Sequence, residues 1–214
     1  MTNRELNDLG RKNNCDKSDK WHTFKGKTYL DVYQNYFEKY KDKTIVFLEI
    51  GVRKGASIKI WKEYFEPSSK IVGIDISPSC KQYEAENIYV EIGSQIDEEF
   101  INGVVEKYGP FDIVLDDGSH INELTLKSYN LLFRHVKEGG LYIIEDMRNS
   151  YEDLTNHVKS WPGMHLNLNN TNYDNSSNRG ELDELFLSII KNLDYRVGDI
   201  DSINFHSQMV IIKK

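Results

Sequence analysis

The chain has 214 residues, a formal net charge of -7 and a pI of about 5.4, so it can form one domain with a sizeable core. This acidic balance argues against the basic face that nucleic-acid binding usually requires. The sequence has no apolar run near the ~20 residues of a membrane span, and its first residues lack the apolar segment of a signal peptide. Cys15 and Cys80 are too few for a disulfide framework, so we expect free thiols and a cytoplasmic protein.

The first predicted element is an aromatic-rich amphipathic helix within residues 28–41. It belongs to an expected N-terminal helical extension, residues 1–43, that precedes the main domain, residues 44–214. We expect most of its rings to pack against that domain rather than to bind a ligand. The rings are Tyr29, Tyr33, Tyr36, Phe37 and Tyr40.

Next, five short runs rich in Val and Ile alternate with helical patterns. Nearly continuous hydrophobicity of this kind is typical of strands buried on both faces. The alternation predicts a mostly parallel sheet that is covered by helices on both sides, with right-handed crossovers. The predicted strands are 44–52, 70–77, 87–94, 111–119 and 139–147, and the predicted helices are 55–66, 78–86, 97–108 and 122–136.

The C-terminal part begins with a polar segment, residues 148–180, whose Asn, Ser and Gly content indicates a long loop. A loop of this length is either disordered or functional, for example a lid over a site. A helix over 181–193 and strands over 195–206 and 208–213 follow, and the last two strands should form an antiparallel hairpin. The sequence therefore predicts an α/β fold with a Rossmann-like, doubly wound, mostly parallel seven-stranded sheet.

The ends of the first three strands resemble a nucleotide site, because ligands of such sheets bind at the carboxyl ends of the strands. Gly51 and Gly55 would let a ligand approach the backbone, and Asp75 could hold ribose hydroxyls. The G-x-G-x-x-G spacing of dinucleotide enzymes is absent, and Glu49 would suit a cationic ligand such as S-adenosylmethionine. Ordinary turn glycines in a nucleotide-free fold are the alternative. The candidate cofactor-binding residues are Glu49, Gly51, Gly55, Ser57, Asp75, Ile76, Gly93, Ser94, Gln95 and Asp116.

The fourth and fifth strands end in charged residues, "DDGSH" and "ED". If the two strands are neighbours, Asp117, Glu145 and Asp146 converge, and a hard cation such as Mg²⁺ is the simplest way to offset their repulsion. His120 lies one turn past Asp117, close enough to take a proton from a hydroxyl bound at the metal. Capping of the helix near Asn122 and a solvated loop are the alternative interpretations.

The segments "LEIGVRKGAS", "GIDIS", "LDDGSH" and "GGLYIIEDM" followed by "SY" resemble class I S-adenosylmethionine-dependent methyltransferases. Within this class, the segments are most similar to the metal-dependent sugar O-methyltransferases of macrolide biosynthesis, over about residues 44–151. The resemblance implies that Asp117, Glu145 and Asp146 are Mg²⁺ ligands and that His120 is the base.

We therefore expect a Mg²⁺-dependent O-methyltransferase that acts on a sugar or a glycosylated small molecule, either a natural product or a surface-polysaccharide precursor. Adjacent hydroxyls of the acceptor would chelate the metal, and Lys20, His22 and Tyr151 are candidate acceptor contacts. The alternatives are a catechol-type O-methyltransferase, a nicotinamide-dependent oxidoreductase and a non-catalytic ligand-binding relative. We expect neither nucleic acid nor a membrane as partner, and a homo-oligomer stays open.

Overall fold

A seven-stranded sheet forms the centre of the protein, whose computed structural model describes residues 4–19, 24–158 and 173–214. The strand order is β3-β2-β1-β4-β5-β7-β6. The first five strands are parallel, and β7 runs antiparallel to both β5 and β6. The predicted Rossmann-like sheet with a C-terminal hairpin is thus confirmed. The strands are β1 (Val46–Ile50), β2 (Lys70–Asp75), β3 (Ile88–Ile92), β4 (Phe111–Asp116), β5 (Val136–Ile144), β6 (Ser202–His206) and β7 (Met209–Lys213).

Helices flank the sheet and mostly match the predicted segments. The main difference lies over 78–86, where the chain forms only a 3₁₀ helix, Pro78–Tyr83, because Ala85 already pairs with Ile88 at the entry to β3. The α-helices are α1 (Glu5–Lys12), α2 (Tyr29–Phe37), α3 (Ala56–Tyr64), α4 (Glu98–Tyr108), α5 (Asn122–Leu132), α6 (Thr155–Val158) and α7 (Arg179–Tyr195). None of the helices in the described parts of the chain is both long enough and apolar enough to span a membrane.

The polar segment over 148–180 is only partly described, because residues 159–172 lie outside the described residues. Its two flanks are held together, since Leu154 N donates to Tyr173 O at 2.8 Å. Leu154 also packs with Ile121 and Leu124 at the start of α5. The ends of the segment are therefore attached to the main domain, and the lid remains an expectation.

The core has one apolar layer on each face of the sheet. On one face, α1, α2 and α3 pack against the strands around an aromatic cluster. Phe37 of α2 stacks on Tyr33, with ring centroids 4.9 Å apart, and meets the ring edges of Trp61 and Phe47. On the other face, α4, α5 and α7 cover the sheet. The aromatic rings of the N-terminal helix thus belong to the same core as the sheet.

We predict that Phe37→Ala lowers the free energy of unfolding by about 3–5 kcal/mol, because the fully buried ring leaves a cavity against Trp61 and Phe47. Urea denaturation measures this change. Phe24→Ala is the control, since that ring is 57% exposed, and it should cost less than about 1 kcal/mol. A Phe37→Ala protein as stable as the control would show that α2 packs only loosely on the sheet.

Candidate functional site

A cleft of ≈ 1280 Å³ opens above the carboxyl ends of the parallel strands, where the strand order reverses between β1 and β4. The start of α2 and the turn between β6 and β7 form its opposite wall. The sequence-predicted residues that line it are Gly51, Asp75, Ile76, Gly93, Ser94, Gln95, Asp117, His120, Glu145 and Asp146.

Other candidates do not reach the cleft surface. Glu49, Ser57 and Asp116 are buried beneath it, and Gly55 packs so closely on Tyr83 that a Cβ there would lie 2.5 Å from the ring. Tyr151 is 62% exposed away from the cleft, where the Arg179 guanidinium lies 4.7 Å from its ring centroid. Lys20 and His22 lie outside the described residues.

Gly51 brings the first strand tip against the fourth. Its φ of +96° lies in the left-handed region, and a Cβ there would stand 2.1 Å from the carbonyl oxygen of Asp117. Only glycine fits this approach without displacement of the backbone. Gly51 is therefore required for the close contact of the two strand tips, and it also lines the cleft.

Asp75, at the end of β2, organises the loop that follows β1. Its Oδ2 accepts from the backbone N–H groups of Val52 and Arg53, each at 2.9 Å, and its Oδ1 accepts from Ser77 N at 2.8 Å. The carboxylate lines the cleft while it fixes the neighbouring loop. Its place suits the expected contact with ribose hydroxyls, which remains a prediction.

Gln95 has a similar double role beyond β3. Its Nε2 donates to Ser128 Oγ at 2.7 Å, and its Oε1 accepts from Ser119 N at 3.0 Å. Gln95, which follows β3, thus holds the "DDGSH" turn that follows β4 in place through this hydrogen bond. The Gln95 side chain is buried by these contacts, and only a small part of the residue is exposed to the cleft.

Two acids at the strand tips lie under the cleft and bind protons more tightly than usual. Burial raises the pKa of Glu49 to about 8 and the pKa of Asp116 to about 7. Glu49 Oε2 accepts from Trp61 Nε1 at 3.2 Å, whereas its Oε1 has no hydrogen-bond partner among the described residues. Burial thus favours the neutral form of the Glu49 carboxyl, whereas the expected contact with a cationic ligand would use its anion.

An acidic centre occupies the end of the cleft at β4 and β5, as expected from the sequence. Oxygens of Asp117 and Asp146 and a ring nitrogen of His120 all lie within 4.8 Å of one another. His120 Nε2 is 3.8 Å from Asp117 Oδ1 and 3.6 Å from Asp146 Oδ2. Glu145 is buried behind them. The structure therefore brings Asp117, His120, Glu145 and Asp146 together, whereas Asp116 lies under the cleft.

The sequence argument missed Lys17, which extends into this centre from the segment after α1. Its Nζ donates to Asp117 Oδ2 and, at 2.5 Å, to Glu145 Oε2. Burial alone would lower the pKa of Lys17, but the neighbouring carboxylates of Asp117 and Glu145 raise it well above its ordinary value. The sequence carries Asp-Lys twice, at 16–17 and 19–20, and the expectation fell on the second pair.

Two tyrosines of α2 also bind the acidic centre. Tyr29 OH donates to Asp146 Oδ1 at 2.7 Å, and Tyr33 OH donates to Glu145 Oε1. Thr28 begins the helix through a capping box with Asp31, which fixes the position of its first turn. The four-residue spacing of the tyrosines places both hydroxyls on one helix face, a signal that the sequence does contain.

Asn175 clamps the two loops that carry His120 and Asp146. The amide is fully buried, and its Nδ2 donates to His120 O at 2.7 Å and to Asn149 O at 2.9 Å. Its Oδ1 accepts from Asn122 N at 2.9 Å. Both His120 and Asp146 have positive φ, 56° and 55°, so the clamp holds two turns that are costly on their own.

The chain resembles known methyltransferases in sequence, although no protein-family model matches it. It is 40% identical over 139 residues to mycinamicin VI 2''-O-methyltransferase of Micromonospora griseorubida, covering 62% of this chain and 32% of that protein. It is 34% identical over 168 residues to demethylmacrocin O-methyltransferase of Streptomyces fradiae, covering 75% and 38%. The chain thus spans about a third of the length of these curated relatives.

Solved structures agree with the sequence comparison. The MycE methyltransferase of the mycinamycin biosynthetic pathway, in complex with Mg and SAH (S-adenosylhomocysteine), superposes with a TM-score of 0.78 at 29% identity. That match covers 98% of this chain and 53% of MycE. A caffeoyl-CoA O-methyltransferase homologue from Staphylococcus aureus, at 12% identity and a TM-score of 0.55, shares the fold.

We predict that Asn175→Asp lowers the free energy of unfolding by at least about 2 kcal/mol, because it replaces two buried hydrogen bonds with a carboxylate facing two carbonyls. Thermal or urea unfolding measures the loss. Asn102→Asp, on the exposed side of α4, should change stability by no more than about 0.5 kcal/mol. Equal effects of the two substitutions would contradict the clamp.

We also predict that Glu49 makes stability fall as the pH rises. In the folded protein the Glu49 carboxyl keeps its proton up to about pH 8, whereas in the unfolded chain the same carboxyl releases it near the ordinary pKa of 4.5. Between these values the folded state binds more protons, so the stability contribution falls by up to about 1.4 kcal/mol per pH unit. Urea denaturation from pH 5 to 8 should show this slope reduced in Glu49→Gln. The exposed Glu106→Gln control should keep it, and a wild-type slope in Glu49→Gln would refute the prediction.

Proposed function

We propose that this chain transfers a methyl group from S-adenosylmethionine to a hydroxyl of a sugar or glycosylated small molecule, with Mg²⁺ as cofactor. It has the class I methyltransferase fold and is homologous to sugar O-methyltransferases. The observation that carries the proposal is the placement of Asp117, His120 and Asp146 together at one end of a cleft. The ends of β1 to β3, where Gly51 and Gly93 line the cleft, form the other end of that cleft.

The cleft fits S-adenosylmethionine on two observations of this structure. The tips of β1 and β4 meet backbone to backbone at Gly51, which lines the cleft, and the Asp75 carboxylate lines the same cleft for hydroxyl groups. Ile76 and the turn Gly93–Gln95 line the space that an adenine ring would take. Glu49, Ser57, Gly55 and Asp116 would then support the site from below rather than touch the cofactor.

The acidic centre fits a divalent cation by the chemistry of its donors. Mg²⁺ binds through carboxylate oxygens and keeps positions for substrate oxygens. Of the three carboxylates expected as ligands, Asp117 and Asp146 would hold it through the oxygens that face His120, with Glu145 buried behind them. When bound, the cation lowers the pKa of an acceptor hydroxyl and orients two adjacent hydroxyls, while S-adenosylmethionine brings an activated methyl group. The expected chelation of a diol belongs to this proposal.

His120 is the residue placed to take the proton. Its Nε2 faces the same space as Asp117 Oδ1 and Asp146 Oδ2, at 3.8 and 3.6 Å, beside the position that an acceptor hydroxyl at the cation would take. A positioned base contributes typically ~10²–10⁴-fold. Because the methyl donor is already activated, much of the remaining rate would come from positioning, for which up to roughly 7–11 kcal/mol is available.

The acceptor class is inferred from relatives. The relatives named above act on mycinamicin VI and demethylmacrocin according to their names, and the names of two further relatives specify rhamnosyl derivatives of tetracenomycin C. A hydroxyl of a deoxysugar is therefore the first acceptor to test. A catechol would bind a metal centre through two oxygens in the same way, and it belongs in the same acceptor panel.

We predict that His120→Ala lowers kcat for methyl transfer by about 10²–10⁴-fold and leaves S-adenosylhomocysteine affinity unchanged, because the ring acts on the acceptor and not on the cofactor. The assay follows S-adenosylhomocysteine release with glycosides such as mycinamicin VI, and with catechol, in the presence of Mg²⁺. His135→Ala, in the 3₁₀ helix Phe133–His135 that follows α5, is the matched control and should keep the wild-type rate. Wild-type turnover by His120→Ala would exclude His120 as the base.

A further inference from the structure

Lys17 is held deep in the acidic centre by the turn that follows α1. Cys15 N donates to Gly10 O at 2.9 Å, and Ser18 N and Oγ both donate to Cys15 O. A Cβ at Gly10 would lie 2.4 Å from Leu30 and 2.9 Å from Ser18, so the turn packs tightly on α2. The Lys17 side chain enters the protein from this turn and is only 5% exposed.

The ammonium group joins carboxylates from two strands. Lys17 Nζ donates to Asp117 Oδ2 beyond β4 and to Glu145 Oε2 beyond β5, the latter at 2.5 Å. Glu145 is 1% exposed, and its other oxygen accepts from Tyr33 OH. Both oxygens of Glu145 are therefore engaged from the buried side.

The contacts of Asp117 divide the centre into two faces. Its Oδ2 binds Lys17 on the buried face, whereas its Oδ1 faces His120, 3.8 Å from Nε2. Asp146 shows the same division, because Oδ1 accepts from Tyr29 and Oδ2 lies 3.6 Å from His120. Lys17 and Tyr29 thus turn one oxygen of Asp117 and one of Asp146 toward the cleft.

The charge of the centre follows from these contacts. With all three ionised, the carboxylates of Asp117, Glu145 and Asp146 carry a formal charge of -3, and the Lys17 ammonium, which contacts the first two, reduces it to -2, the charge that a divalent cation balances. Burial of so many like charges without a counter-ion would be strongly destabilising. The protein therefore contains its own cation at the place where the proposed metal binds.

We propose that Lys17 is a built-in counter-ion of the acidic centre, which keeps Asp117 and Glu145 together without metal and limits how tightly the centre binds a divalent cation. Lys17 is thus a positioning residue rather than a catalytic one. The metal half of this proposal rests on the proposed function, whereas the stability half does not.

Lys17→Met separates the two halves, because methionine keeps the length of the side chain and removes the charge. In metal-free buffer at pH 8, Lys17→Met should lower the Tm by roughly 6–20 °C, since it leaves the buried Glu145 carboxylate and the half-buried Asp117 carboxylate without their cation. Lys17→Arg keeps the charge and should lose less than half as much. Lys17→Met/Glu145→Gln, which also removes one buried charge, should recover at least half of the lost Tm.

Titration calorimetry with Mg²⁺ and Mn²⁺ tests the metal half. Lys17→Met should bind Mg²⁺ on the order of tenfold or more tightly than the wild type, because a positive charge beside the site is gone. Mg²⁺ should also restore its Tm toward the wild-type value. Unchanged or weaker binding by Lys17→Met would overturn the proposal, as would a metal-free Tm equal to that of the wild type.

Failure of the proposed function has a different signature. If the wild-type protein binds neither cation, the proposed metal is wrong, and the metal-free Tm series decides whether Lys17 is a counter-ion. If Lys17→Met does not fold, Lys17→Met/Glu145→Gln decides between the two roles. A counter-ion role of Lys17 requires that this double variant folds, and a purely packing role requires that the double variant does not fold.

Discussion

Parallel pairing of β4 with β5 places like charges side by side. The register joins Asp116 to Ile144, so the next residues along the two strands, Asp117 and Glu145, lie adjacent at the carboxyl edge of the sheet. Carboxylates in such a position repel each other, and burial raises the cost. The rest of the site consists of groups that offset this repulsion: the Lys17 ammonium, the hydroxyls of Tyr29 and Tyr33, and the proposed divalent cation.

The N-terminal segments are part of the candidate site because they supply those groups. The α2 helix packs one side into the aromatic core through Phe37 and presents two tyrosine hydroxyls to the acidic centre. The turn after α1 supplies Lys17. On the other side, Asn175 ties the loops of His120 and Asp146 to each other. The geometry of the candidate site therefore depends on segments far from the strand tips in sequence.

The sheet could be predicted because each parallel strand is a continuous apolar run, and the sheet order then brings strand ends to one edge. That reasoning suffices for Asp75, Asp117, His120, Glu145 and Asp146, since their positions follow from the ends of strands. The sequence does contain the 29–33 tyrosine spacing, but the rings were expected only to pack.

Lys17 and Asn175 could not be predicted in this way. Each reaches the site as a single side chain from an irregular segment, whose path no hydrophobic period specifies. Nor does a strand-end position reveal how deeply a residue is buried. Glu49 and Asp116 occupy the expected positions, yet both lie under the cleft, where burial raises their pKa values to about 8 and about 7.

The central claim is that one cleft binds S-adenosylmethionine beside a divalent metal centre, and ligand-dependent thermal unfolding tests it most directly. S-adenosylhomocysteine at about 100 times its Kd should raise the Tm by roughly 5–11 °C. Mg²⁺ should add a further shift that a chelator reverses and that Asp117→Asn lacks, while NAD should have no effect. Stabilisation by NAD together with no response to S-adenosylhomocysteine would contradict the account.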